Sequence, residues 1–343
     1  MSRRELNWKG AGLIRSVGAV VLAAVALSGC SNAPQIAPAD QPLTKQTMLL
    51  LGKKGMSAQA PIFVRIFKEE SELEVWKQRE DGRFYHFKTY PVCNWSGDLG
   101  PKLKQGDKQA PEGFYRVSSN QLNPNSSFHV SFNLGYPNAY DKSLGRTGDF
   151  LMVHGKCKSA GCYAMTDALI EEIYGLARDA LKSGQTSFDV HAFPFRMTNE
   201  NMKRYSRSKW IGFWRTMKRG YDYFEANRVP PSIEVCERRY LVNVATMDGS
   251  KPEADAACPA FYQPKLEPFA PRLNEQKLAA ERIEVPGPRM RTAQSIHAPE
   301  GQEWMPPAVA SAGNSSGSAF SGMFGFGSSS NSSYNAPSSY GFR

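Results

Sequence analysis

A histidine and a cysteine eight residues apart hold the most chemistry in this chain. They are His154 and Cys162, in the run Phe150-Leu-Met-Val-His154-Gly155-Lys-Cys157-Lys-Ser159-Ala-Gly161-Cys162-Tyr-Ala-Met165-Thr166. A thiolate is the attacking form of cysteine, and an ordinary thiol of pKa ~8.5 is mostly protonated at neutral pH. An imidazole within hydrogen-bond reach draws off that proton. Gly161 removes a side chain where backbone and substrate must approach, and N–H groups around Gly161 and Cys162 are candidates for holding an oxyanion. Ser159 is positioned to hold the turn. Cys157 is a rival nucleophile by composition, but Cys162 directly follows the glycine.

The flanking residues predict how the pair is positioned. Phe150 to Val153 reads as a strand that delivers His154. Thr166 to Lys182 has Leu169, Ile170, Ile173, Leu176, Ala177, Ala180 and Leu181 at helical spacing. Thr166 or Asp167 caps its start and Gly184 ends it. A helix beginning just after Cys162 would favour the thiolate. Ile62 to Phe67, Leu73 to Trp76, Arg83 to Tyr90, Phe128 to Phe132 and Ser187 to Phe193 read as strands. Asp81-Gly82 marks a hairpin turn. Asn94 to Asn125, dense in Gly, Pro and Asp, reads as loop. Ser208 to Phe224 is a second helical stretch whose aromatics suit a core. The fold class is therefore mostly β with a few helices (α+β), over about residues 59–246.

The amino terminus has Arg3, Arg4, Lys9 and Arg15 before an apolar run, Val17 to Ala26, too short to span a bilayer of ~30 Å. This is the pattern of a secretory signal peptide over residues 1–29. Its end, Leu27-Ser28-Gly29-Cys30, resembles the bacterial lipobox, which implies lipidation of Cys30 and a membrane anchor. Residues 30–58, rich in Ala, Pro, Gln and Lys, read as a tether. Residues 247–343, Pro-rich and then Ser/Gly/Asn-rich, read as a mostly disordered tail. The expected location is the cell envelope, lipid-anchored and facing the periplasm, with the outer membrane favoured by Ser31 after the anchor.

The net charge of +10 suits an anionic partner. No basic helix with interleaved aromatics points to nucleic acid. With Cys30 lipidated and Cys162 reserved for chemistry, four cysteines remain in an oxidising compartment. They allow three pairings; proximity favours Cys236–Cys258, which leaves Cys93–Cys157. No CxxC pair or His cluster has metal-ligand spacing, so neither metal nor organic cofactor is expected.

The His-Gly pair followed by Ser-x-Gly-Cys resembles the signature of the L,D-transpeptidase catalytic domain of the YkuD type. The shortened gap, with Ala164-Met165-Thr166 after the cysteine, looks like its YafK-like branch. So do Ser96 to Lys102, Gly106 to Tyr115, Phe132 to Asp141, His191 to Thr198 and Phe213-Trp214. The resemblance implies a β-sandwich or barrel catalytic domain, with Cys162 as nucleophile, His154 as base, and Gly161 and Ser159 as site framework. It implies peptidoglycan stem peptides containing diaminopimelate as substrate, with a wall-attached envelope protein as a further partner. A thioester on Cys162 would pass to an amine in transpeptidation or to water in hydrolysis. Arg196 and His191 are candidate substrate contacts, since an arginine suits a stem-peptide carboxylate. The alternative is a catalytically silent lipoprotein that tethers membrane to wall.

Overall fold

A computed structural model describes residues 36–265, 269 and 270. The signal segment with Cys30 and the low-complexity run 310–343 lie outside them. In chain order, α1 (Lys45–Lys53) precedes β1 (Ile62–Phe67), β2 (Glu72–Gln78), β3 (Phe84–Pro91), β4 (Asn94–Trp95), β5 (Gly113–Ser118), β6 (Leu122–Asn123) and β7 (Ser131–Asn133). Then come α2 (Ala139–Ser143), β8 (Met152–His154), β9 (Tyr163–Ala164), α3 (Asp167–Lys182) and β10 (Ser187–Phe193). Helices α4 (Asn199–Arg204) and α5 (Ile211–Asn227) lead to two small hairpins, β11 (Ile233–Cys236) with β12 (Arg239–Val242), and β13 (Ala245–Thr246) with β14 (Phe261–Tyr262).

Two five-stranded sheets make the architecture, ordered β3-β2-β1-β10-β5 and β4-β9-β8-β7-β6. Both are mixed: β1 pairs with β10 in parallel, and β8 pairs with β9 in parallel. The apolar stripe of α3 packs against β1 and β10 of one sheet and β7 and β8 of the other. Ile62, Val64 and Val190 thereby share one core with Phe132, Val153 and Tyr163. The opposite face of the first sheet is covered by α5 and the β11–β12 hairpin, with Trp214, Met217 and Tyr240 against Phe67, Phe114 and Phe193. Cover on both faces explains why β1 is buried at every residue and does not alternate. Its single charge, Arg65, is paired with Glu74 at 2.7 Å and Glu225 at 2.6 Å.

The expected α+β class is the observed one. Within the stretch read as loop, β4, β5 and β6 form, and α2 and α4 were not anticipated. Glycine and proline around these short segments masked them. The segment read as a tether over 30–58 contains α1, capped by Thr44, whose hydroxyl accepts the Thr47 N–H at 3.1 Å. Leu51 is buried, Thr47 donates to Glu172 at 3.0 Å, and Arg178 donates to Ala39 O at 2.7 Å. Average composition hid a four-residue apolar run, Met48 to Leu51, behind a good cap. Order also continues past 246: β14 pairs with β13, Cys236 is bonded to Cys258, and the Phe269 N–H donates to Ala226 O at 2.9 Å.

Two histidines tie this packing to pH. His191 on β10 is enclosed by Phe63 and Phe114, ring centroids 4.8 and 4.6 Å away, and burial pulls its pKa down to about 3. Burial likewise lowers His86 to about 4. Both are neutral in the folded state and titrate near 6.5 when unfolded, so the unfolded chain binds more protons below pH 6.5. Unfolding free energy from urea titrations is expected to be insensitive to these groups above pH 6.5 and to fall as pH drops towards 4. The expected size is roughly 1.4 kcal/mol per unit of depression. His191→Leu should remove part of that slope; an unchanged slope in the variant would contradict the assignment.

Candidate active site

The β8–β9 pair brings the two predicted reactive residues together. Val153 lies opposite Tyr163 and His154 opposite Ala164. Val153 and Tyr163 enter the core, while Cys162, in the bend just before β9, sets its Sγ against the backbone of the strand that ends in His154. The Met152 N–H donates to Cys162 Sγ at 3.4 Å, and Sγ lies 3.6 Å from Phe150 O.

His154 is held by its neighbour. Its Nδ1 is 2.7 Å from Gly155 O. A carbonyl can only accept, so Nδ1 carries the proton and Nε2 has the free lone pair. The Phe128 ring packs 4.7 Å from the imidazole. Gly155 is required sterically: a Cβ there would meet Asp167 Oδ1 at 2.5 Å and Phe128 O at 3.0 Å. Burial lowers the His154 pKa from its ordinary value, opposed by the Gly155 hydrogen bond. Burial raises the Cys162 thiol, opposed by the Met152 N–H and the nearby Lys102 ammonium. Both shifts favour the neutral pair, thiol and imidazole.

Ser159 and Gly161 shape the turn that leads into the cysteine. Ser159 Oγ donates to Cys162 O at 2.7 Å and accepts the Gly161 N–H at 3.3 Å. The Gly161 N–H is thus engaged in the turn and not free for an oxyanion. Gly161 has φ +124°, which a side chain would strain. The helix dipole expected to act on Cys162 does not reach it. Strand β9 intervenes, α3 begins at Asp167, and the Asp167 carboxylate accepts the Lys156 N–H at 2.8 Å.

Cys157 is bonded to Cys93, and Cys236 to Cys258, which leaves Cys162 as the free cysteine among the described residues. The first disulfide fastens the loop between His154 and Cys162 to the start of β4. The Cys93 N–H also donates to Ala164 O at 2.8 Å and the Cys157 N–H to Met165 O at 3.1 Å. Ten described non-glycine residues have positive φ. Five of them, Lys108, His129, Phe150, Lys156 and Cys157, lie on the segments around His154 and Cys162. Backbone strain of this kind collects where the surrounding structure over-determines a site.

Two candidate substrate contacts fall elsewhere. His191 is sealed among aromatic rings in the first sheet, only 1% exposed. Arg196 is paired with Glu72 at 2.5 Å and Glu74 at 2.7 Å, and these carboxylates raise its pKa above the ordinary arginine value. Both are structural: one fills a core, the other neutralises buried acids. His129, in a left-handed turn just before β7, is paired 2.6 Å from Glu171. Lys102 was missed as a neighbour of the thiol. It stood in the Gly100-Pro101-Lys102 run, but only the fold brings that loop to Cys162.

Residues 63–190 match the family described as L,D-transpeptidase catalytic domain, YkuD. The chain is 46% identical over 184 residues to "Putative L,D-transpeptidase YafK" of Escherichia coli (strain K12), covering 54% of this chain and 74% of that relative. Among solved structures, it is similar to the helical cell shape determining protein Pgp2 from Campylobacter jejuni. That match has 18% identity and a TM-score of 0.32, over 56% of this chain and 80% of that one. Bd1075 of Bdellovibrio bacteriovorus matches with 22% identity and a TM-score of 0.28, over 48% and 60% of the two chains.

The loop geometry predicts a dependence on the Cys93–Cys157 bond. A Cys93→Ala/Cys157→Ala double variant should lose about 2–4 kcal/mol of stability in urea titrations. Cys162 in that variant should also react with iodoacetamide with an altered pH profile, because the loop that sets its surroundings is released. An unchanged profile would assign the disulfide to stability alone.

Proposed function

Since the chain belongs to the YkuD L,D-transpeptidase catalytic-domain family, we propose that it remodels peptidoglycan through an acyl-enzyme formed on Cys162. The observation that carries this reading is the parallel β8–β9 pairing, which brings Cys162 Sγ against the strand that ends in His154, with Nδ1 of His154 occupied by Gly155 O and Nε2 left as base. The substrate class is the stem peptide with diaminopimelate followed by a terminal residue. Sγ of Cys162 attacks the diaminopimelate carbonyl as Nε2 takes the thiol proton. The tetrahedral oxyanion collapses, the amine leaves with the proton held by His154, and a thioester remains.

The second half is an acceptor question. An amine acceptor gives a cross-link or a protein–wall bond, and water gives hydrolysis, including release of wall-attached protein. His154 serves either by taking the acceptor's proton. No metal is involved in these steps. Export and anchoring through Cys30, in the envelope and facing the periplasm, complete the proposal and would bring the site within reach of the wall.

Incubation of the protein and Cys162→Ala with sacculi carrying wall-linked protein tests the reading, with products read by mass spectrometry. Wild type is expected to yield released protein, new monomers or new 3-3 dimers, and Cys162→Ala none. Identical products from both would sink it and favour a silent wall-binding tether.

The depressed His154 pKa sets the sign of the pH dependence. Burial keeps the imidazole neutral, and so competent as a base, to lower pH than an ordinary histidine. The acid limb of kcat/KM should therefore fall below the ordinary histidine value, while iodoacetamide alkylation of resting Cys162 should keep rising above pH 9. A preformed thiolate, seen as pH-independent alkylation near neutrality, would contradict the neutral pair.

A further inference from the structure

Two exposed residues have backbone beside Cys162 or its turn, and both hold a conformation that L-residues rarely adopt. Phe150 has φ +52° and remains 46% exposed. Its carbonyl lies 3.6 Å from Cys162 Sγ. Lys108 has φ +51° and is also exposed. Its backbone borders the other side of the turn: a Cβ built on Gly161 would lie 3.8 Å from Lys108 C and 3.6 Å from Gln109 O. The Lys108 carbonyl is fixed by the Ser96 hydroxyl at 2.7 Å. Its ammonium has no ion pair among the described residues, whereas the neighbouring Lys102 is paired with Asp107.

Glycine would hold either conformation without strain. A phenylalanine that leaves much of its ring in water gains little from burial, and a lysine without a carboxylate partner gains no ion pair. Folding alone gives no reason for these side chains at these positions. An unpaired ammonium and a half-open aromatic ring, on residues whose backbone adjoins Cys162 and its turn, match a ligand with a carboxylate and an aliphatic chain.

We propose that Lys108 and Phe150 are the specificity-determining pair of the acyl-donor site, Lys108 taking a free carboxylate of the diamino-acid residue and Phe150 covering its methylene chain. This rests on the acyl-enzyme reading above and adds which feature of the donor is read. Lys108 acts as a point charge, so recognition depends on the carboxylate being ionised and not amidated. Phe150 acts through apolar contact and is indifferent to amidation.

The test uses two probes, a tetrapeptide stem with diaminopimelate and the same peptide amidated at the free carboxylate of that residue. Wild type should prefer the free acid by about tenfold or more in kcat/KM, the range of one charge-assisted hydrogen bond. Lys108→Gln should bring the preference close to unity, mainly through KM, and Lys108→Arg should retain much of it. Phe150→Gly should raise KM for both probes equally while its Tm stays level or rises, because a strained residue is relieved. Equilibrium binding of both probes to Cys162→Ala measures the same discrimination without turnover. If wild type shows no Cys162-dependent product but Cys162→Ala still prefers the acid through Lys108, the reaction is wrong and the recognition stands. An acid preference that persists in Lys108→Gln, or an unchanged KM in Phe150→Gly, overturns the inference.

Discussion

Two parallel strands joined by only eight residues pose the constraint around which this site is built. Parallel neighbours ordinarily need a crossover of a dozen or more residues, commonly with a helix. Here β8 ends at His154, β9 begins at Tyr163, and residues 155–162 make the whole return. A chain that reverses twice in so short a span has few ways to do so. Lys156 and Cys157 take left-handed conformations, Gly161 takes φ +124°, and Gly155 lies too close to Asp167 and Phe128 O for any side chain. The Ser159 hydroxyl bridges the turn, and the Cys93–Cys157 bond anchors its crest. The reward is placement. The short return keeps Cys162 beside the strand that ends in His154, with no helix between them.

The second wall of the site depends on a different device. Residues 96–112 contain little regular structure, so their backbone groups need partners from elsewhere. Lys68, fully buried, supplies them: its ammonium donates to Asp98 O at 2.8 Å, Gly100 O at 3.1 Å and Ala110 O at 2.9 Å, and pairs with Glu112 at 3.1 Å. Glu112 also accepts from the Gly100 N–H at 2.7 Å and from Trp214 Nε1 at 2.8 Å. A buried charge is tolerable only when paired and saturated with hydrogen bonds, and removing one partner leaves the other exposed to the full desolvation penalty. The cluster therefore holds the loop in one conformation and connects it to α5 on the far side of the first sheet. Gln109 and Lys108, at the end of that loop, reach Gly161 in a fixed position.

What could be read before the fold was known follows the range of each interaction. Strand β1 announces itself as a continuous apolar run, and β2, β3, β10 and helix α3 through local periodicity; all are found close to where they were expected. His154 and Cys162 were legible because their motif is local, eight residues long. Strands β4, β6 and β9 have two residues each, too few for any period to appear. Their pairing is decided by partners far away in the chain. The same limit explains His191 and Arg196. An arginine suited to a stem-peptide carboxylate, and a histidine five residues before it, look like ligands in one dimension, yet aromatic rings from β1 and β5 enclose His191 and the acids of β2 neutralise Arg196. The disulfides were reached by counting cysteines, by the proximity of Cys236 to Cys258 along the chain, and by elimination for Cys93 and Cys157.

Burial of the reactive pair also bears on how the site survives where it works. A thiolate five residues from a disulfide is positioned to exchange with it, and the rate of exchange follows the thiolate fraction. Burial raises the Cys162 pKa and lowers that of His154, so the resting nucleophile is a thiol. The disulfide that shapes the loop is then protected from the nucleophile that the loop presents. In the mechanism proposed above, charge separation waits until a carbonyl is within reach and His154 Nε2 accepts the proton as the carbon–sulfur bond forms. Lys102 and the Met152 N–H, the two groups that favour negative sulfur, lie close enough to assist that moment but do not outweigh burial beforehand. On this view the neutral pair is not a weakened ion pair. It is the form that lets an uncommitted thiol and a necessary disulfide share one short loop.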